Sequence, residues 1–178
     1  MSEPRFRVAI VGAGPSGLFA AQHLTATGEV AVDIYDRLPT PYGLLRYGVA
    51  PDHTSIKSVA NALARVFDGG MVRFLGLVHF GRDITRDELL SAYDAVIYAV
   101  GANEDMHMGI PGEGAVGSGS AREFVAWYSG HPDASPQSLA GVRGAATIGV
   151  GNVAVDVARI LLKEPLALDE TDMPEDVL

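Results

Sequence analysis

The chain has 178 residues, 48% hydrophobic and 20% charged, a composition that suits one folded domain or two small ones and excludes whole-chain disorder. It has no cysteine, which excludes disulfides, thiolate metal sites, iron–sulfur ligation by this chain and dithiol redox chemistry; its five histidines (His23, His53, His79, His107, His131) show no paired spacing, so no metal is expected. The net charge of −9 comes without any basic stripe, so nucleic acid is not an expected partner.

Residues 5–11 read as a short apolar strand, so the first residues lead into folded structure and not into a signal peptide. Gly12, Gly14 and Gly17 follow, and an alanine-rich helix spans 18–27 with Gly28 as its stop. A second strand covers 30–36. Two strands flanking one helix make a βαβ unit and therefore a parallel sheet. Residues 37–53 hold three prolines and two glycines, yet they are apolar and aromatic, so this loop is expected to pack against the body or a ligand. Thr54 or Ser55 caps an amphipathic helix to Phe67, with Ile56, Val59, Ala60, Leu63 and Phe67 at helical spacing. Residues 72–80 read as one or two strands, and Thr85 with Glu88 is a capping-box signal for a short helix.

Residues 94–100 read as a continuous, buried-type strand ending at Gly101. The glycine-rich stretch 112–119 suits an inter-domain crossing, and Ser120 with Glu123 is a second capping box, opening a helix to Ser129. A further short strand is expected at 145–148, then a helix from Asn152 to about Lys163. Beyond Lys163 come Glu164, Asp169, Glu170, Asp172, Glu175 and Asp176 and no base, which leaves 16 acids against 13 bases before it. The acidity is mostly a property of this end, which reads as solvated and frayed. It carries no buried-strand pattern, so the second nucleotide unit reads as cut in half. No apolar run reaches the ~18 residues that a membrane span needs. A cytoplasmic protein without membrane contact is the expectation.

Two motifs carry chemistry. Gly12-Ala-Gly14-Pro15-Ser16-Gly17 is a GxGxxG sequence with a strand before it, a helix after it, and Asp36 closing the next strand. Gly12 allows the tight turn, Gly14 lets a pyrophosphate approach the backbone, and Gly17 brings helix and strand together. The helix N-terminus then offers free N–H groups and a positive dipole end to phosphates. A carboxylate at Asp36 binds a ribose diol and repels a 2′-phosphate, so the first site suits FAD or NAD better than NADP. Gly149-Val150-Gly151-Asn152-Val153-Ala154 is GxGxxA in the same setting, without a following strand to carry a ribose-reading residue. The alternative in each case is a glycine turn without a ligand. Two fingerprints in one chain suggest a flavoprotein with FAD first and a nicotinamide nucleotide second. Trp127 and Tyr128 read as packing residues, Asp156 as either structural or turn-orienting, and His23, His79 and His107 as surface histidines.

The chain resembles the N-terminal part of the adrenodoxin reductase-type ferredoxin–NADP+ reductases. The resemblance rests on residues 11–17, 41–53 (Pro-Tyr-Gly-Leu-Leu-Arg-Tyr-Gly-Val-Ala-Pro-Asp-His), 93–102, 110–113, 122–128 and 149–161, in order along essentially the whole chain. It implies a Rossmann-like α/β fold with an FAD-binding part over 1–107 and the start of a truncated NADP-binding part over 108–178. It implies noncovalent FAD, hydride from NADPH, and electrons passed to a ferredoxin-type iron–sulfur protein. By position, Gly12, Gly14, Pro15, Ser16, Gly17, Asp36, Leu44, Val78 and Gly101 belong to the FAD site. Gly149, Val150, Gly151, Asn152 and Val153 belong to the NADP site, and His53 is the candidate catalytic residue beside the flavin. Asp36 stands where the family has Glu, and Val150 where it has a polar Asn or Gln. The family's missing C-terminal half is a further expected partner. Two rival readings are a nucleotide-binding remnant without turnover and the electron-input subunit of an amidotransferase-type synthase; the 41–53 loop argues against the latter.

Overall fold

The computed structural model describes residues 3–102 and 104–178. Strands β1 (Phe6–Val11), β2 (Val30–Tyr35), β3 (Val72–Leu75) and β4 (Ala95–Tyr98) form a parallel sheet in the order β3-β2-β1-β4. The apolar runs seen in sequence follow from this, because a parallel sheet is covered on both faces. Val8, Ile10, Val32, Ile34 and Val72 form one core face with Leu18 and Ala21 of α1 (Pro15–Thr25). Ala9, Val11 and Tyr35 form the other with Leu89 of α5 (Arg86–Ala92). Gly28 ends the α1 turn in the left-handed region at φ +73°. Each fully buried aliphatic side chain here contributes on the order of 1.5–3 kcal/mol. This unit comprises the residues up to Leu45 and Ser55–Gly101.

A second unit comprises Arg46–Thr54 and Ala102–Leu178. Its core is made by α6 (Ala121–Tyr128) and α7 (Asn152–Leu161), through Val125, Tyr128, Val157 and Ile160, together with Ala50. Tyr128 is fully buried and Trp127 packs beside it, which agrees with the packing reading of this pair. Among the described residues no helix is long and apolar enough to cross a membrane.

Several expectations are corrected. The acidic end is not simply frayed, because Leu168 and Met173 are buried in the α6–α7 core and a short 3-10 turn forms at Pro165–Ala167. Apolar side chains spaced among the acids are enough to dock the segment. Residues 145–148 form no strand, for no ladder pairs them with a described strand. The helix expected over 54–67 is broken into α3 (Thr54–Lys57), α4 (Val59–Ala64) and a 3-10 turn at Arg65–Phe67. At the break the Ser58 hydroxyl donates to the Ser55 carbonyl (2.6 Å), and Asn61 N–H bonds Ser58 three residues back, so local bonds displace the i−4 ladder. Strand β3 stops at Leu75, and β4 is a partly exposed sheet edge instead of a buried strand. The 37–53 loop packs as expected through buried Leu38 and Ala50, and it contains one helical turn, α2 (Leu44–Tyr47). Thr85 and Glu88 form the full reciprocal capping box. At α6 only half of one forms: Ser120 accepts from Glu123 N–H while its hydroxyl donates to Asp105 (2.5 Å).

Candidate functional site

The first fingerprint is a tight turn between the end of β1 and the start of α1. Gly12 has φ +108°, donates its N–H to the Tyr35 carbonyl (2.7 Å), and a Cβ on it would lie 2.3 Å from the Ala99 carbonyl oxygen. Only glycine fits there. A Cβ on Gly17 would lie 2.0 Å from the Gly12 oxygen, so the helix can approach the turn only without a side chain at that position. Gly14 differs: it caps α1, and a Cβ on it would meet nothing within 4 Å. Pro15 occupies the first helical position, where its missing N–H costs nothing. The amides of Ser16 and Gly17 in the first turn have no intrahelical acceptor and carry the positive end of the helix dipole.

Asp36 follows β2 and turns back onto this loop. Its Oδ2 accepts from Ala13 N–H (2.7 Å) and its Oδ1 from Leu38 N–H (2.9 Å). Val78 donates its N–H to the Asp36 carbonyl (2.9 Å), which places it beside the same corner. Tyr42 N–H donates to the Ala13 carbonyl (2.8 Å), and the adjoining Leu44 is largely exposed. Gly101 lies two residues beyond Ala99, at φ +71°. The fold therefore gathers Gly12, Gly14, Pro15, Ser16, Gly17, Asp36 and Val78 at the carboxyl ends of β1 and β2. That is the end of a parallel sheet where nucleotides bind.

The second fingerprint is also a turn before a helix. Gly149 has φ +141°, Gly151 caps α7, Asn152 opens it, and Val150 and Val153 are exposed. A hollow of about 490 Å³ beside it is lined by Thr147, Gly149, Ala154, Val155, Arg159 and Lys163, among others. In the same unit His53 Nε2 lies 2.9 Å from Asp156 Oδ1, which also accepts from Arg159 Nη2 (2.9 Å). Asp52 accepts from both Arg159 and Lys163. Burial is the largest single influence on Asp52 and works upward, but the bonds from Arg159 and Lys163 outweigh it and bring its pKa down to about 2. Burial likewise opposes ionisation of Asp156, and the bonds from Arg159 and His53 override it, so its pKa is lowered. Tyr128 is pushed up to about 12, first by burial and then by the Asp156 charge.

Sequence reasoning missed the Asp52–Arg159–Lys163 group. Its signal was present: Asp156 and Arg159 stand three apart on α7, and Lys163 follows at i+4 just past the helix end. It also missed Asp33, a buried carboxylate within β2. Arg73 grips Asp33 with two bonds of 2.6 Å, Tyr93 Oη donates to it (2.6 Å), and Arg7 lies 3.4 Å away. Burial opposes ionisation of Asp33, yet these donors hold its pKa below the ordinary value. Among the described residues no group of acids and histidines could hold a metal ion, and His23, His79 and His107 are exposed.

The description "NAD(P)-binding Rossmann-like domain" matches residues 10–75, the segment from β1 through β3. NADPH-ferredoxin reductase FprA of Mycobacterium leprae is 47% identical over 96% of this chain and 39% of its own. The mitochondrial NADPH:adrenodoxin oxidoreductase of Homo sapiens is 43% identical over 97% of this chain and 35% of its own. Over nearly its whole length the chain is similar to these reductases. A solved structure of Mycobacterium tuberculosis FprA in complex with NADPH superimposes with a TM-score of 0.89, at 46% identity, over 97% of this chain and 40% of that one. The chain thus spans 35–40% of the length of these reductases.

Proposed function

We propose that this chain is the nucleotide-binding part of a flavoprotein oxidoreductase that moves electrons from NADPH through FAD to a ferredoxin-type iron–sulfur protein. The observation that carries the reading is the first fingerprint. Gly12 and Gly17 are closed against neighbouring backbone, while Gly14 leaves an open place at the N-terminus of α1 that a Cβ would fill. Asp36 fits the adenosine ribose of FAD: each carboxylate oxygen accepts one backbone N–H and keeps a lone pair for a hydroxyl. When bound, FAD supplies the conversion of a two-electron hydride donor into one-electron steps.

In this reading Gly14, Ser16 and Gly17 receive the pyrophosphate through backbone N–H groups, and Asp36 receives the ribose. Leu44, Val78 and Gly101 line the remainder of the FAD site. Gly149 to Val153 receive the phosphates of NADP, so FAD belongs to 1–107 and the nicotinamide nucleotide to 108–178. His53, held through Nε2 by Asp156, is an imidazole of fixed orientation able to hold a proton, which suits the place near the flavin that the family resemblance gives it. A second reading, nucleotide binding without turnover, is favoured by residues 145–148, which form no described strand ahead of the second fingerprint. Titrating the purified chain with FAD, then adding NADPH and an artificial electron acceptor, tests both. FAD binding with acceptor reduction supports the oxidoreductase. FAD binding without reduction supports the second reading, and no FAD binding refutes both.

A further inference from the structure

We propose that Gly43 is a further determinant of the first dinucleotide site, a positioning residue that sets where Gly14 presents its backbone; this rests on the reading of the first fingerprint as an FAD pyrophosphate cradle. Ala13, between the first two glycines, is held at both ends. Its N–H goes to the Asp36 carboxylate (2.7 Å), and its carbonyl accepts the Tyr42 N–H (2.8 Å). The 42–45 segment is itself folded back, with Leu45 N–H on the Tyr42 carbonyl (3.0 Å). This brings Gly43 directly against the next fingerprint residue. A Cβ on Gly43 would lie 3.0 Å from Gly14 Cα, 3.6 Å from Gly14 N and 3.9 Å from Pro15 Cδ.

Two backbone conformations show how closely the segment is fitted. Gly43 has φ +48°, and its neighbour Tyr42 has φ +88°, a region that a residue with a Cβ rarely adopts. The Tyr42–Ala13 bond is made in that conformation. Nothing lies within 4 Å of a Cβ placed on Gly14, so Gly43 touches a different side of Gly14 from the one left open to a ligand. A methyl group at residue 43 therefore has two ways to fit. It moves Gly14 toward the ligand's side, or it lifts the segment and breaks the Tyr42–Ala13 bond. Both alter the distance between the turn's N–H groups and a phosphate.

The test is FAD titration of the wild-type chain and of Gly43→Ala, Gly43→Asn and Gly28→Ala, with circular dichroism to verify folding. Gly28 is the control, because it shares the positive φ (+73°) but a Cβ there meets nothing within 4 Å. Gly28→Ala is expected to lower the melting temperature and leave the FAD Kd unchanged. Gly43→Ala is expected to raise Kd about tenfold or more. Gly43→Asn is expected to do the same, because asparagine tolerates the left-handed conformation but keeps the Cβ. If Gly43→Ala does not fold, Gly43→Asn carries the test at the same threshold. A Kd within twofold of wild type in a folded Gly43 variant overturns the proposal, as does full recovery of affinity in Gly43→Asn, which would make φ and not the contact the cause. Wild type that binds no FAD removes the site reading itself, and the proposal with it; wild type that binds while Gly43→Ala is unaffected removes the proposal alone.

Discussion

Asp36→Ala is expected to weaken both the folded chain and its hold on FAD, by amounts that can be measured apart. In the free chain the carboxylate makes two bonds, to Ala13 N–H (2.7 Å) and Leu38 N–H (2.9 Å). A hydrogen bond to a charged group is worth about 1.5–3 kcal/mol, and the lower end applies here because Asp36 is only half-buried and water replaces it in the variant. The loss of two such bonds is about 3 kcal/mol, read from urea midpoints without nucleotide. Bound FAD adds the ribose diol, whose loss costs a further ~1.5–3 kcal/mol, a 10- to 150-fold rise in Kd by calorimetry. Asp36→Asn keeps one acceptor oxygen and turns an NH2 group toward the other N–H, so it should lose most of the FAD affinity but less of the stability. NADP+ affinity should be unchanged in both. A folded Asp36→Ala chain with wild-type FAD affinity would refute the role of this residue, and selective loss of NADP+ would reverse the assignment of the two nucleotides.

Gly14→Val should still fold, at a cost of about 1 kcal/mol for the poorer helix cap, because Gly14 has φ −71° and its Cβ position is open, yet it should purify without flavin absorbance; retained flavin would sink the cradle. Asp52 has a depressed folded-state pKa of about 2, so its contribution is fully present above the unfolded value near 4 and is lost as pH falls through 2. Discounted for the partly exposed Arg159 and Lys163, that contribution is on the order of 1–2 kcal/mol, and urea midpoints of wild type and Asp52→Asn should converge between pH 5 and the acid limit. Arg73→Leu leaves Asp33 buried with only Tyr93 and the more distant Arg7, and should cost about 2–3 kcal/mol in thermal unfolding; a neutral result would mean that water reaches the carboxylate.

The order strand, GxGxxG, helix, strand, Asp36 was legible along the first 36 residues because every part of it is local. Glycine supplies the tight turn, period and capping mark the helix, and the short crossover forces the two strands parallel. The closed Gly12 and Gly17 and the open Gly14 follow from that geometry. The fully reciprocal capping box at Thr85 was readable for the same reason: its partners are three residues apart.

What the sequence could not decide depends on atoms that arrive from elsewhere in the chain. The apolar 145–148 segment resembles a strand, but a strand needs a neighbour to bond, and none of the described strands pairs with it. The acidic end looks solvated residue by residue, yet Leu168 and Met173 find a core because α6 and α7 present one. Asp33 looks misplaced in an apolar strand until Arg73 arrives across the β2–β3 register from forty positions away. The same holds for the grip on Ala13 and the contact of Gly43 with Gly14, made by a loop whose composition foretold only that it would pack. Turns and helix ends are set by bonds within a few residues and are written in the sequence; burial, ladders and ion pairs require a partner, and only the folded chain supplies it.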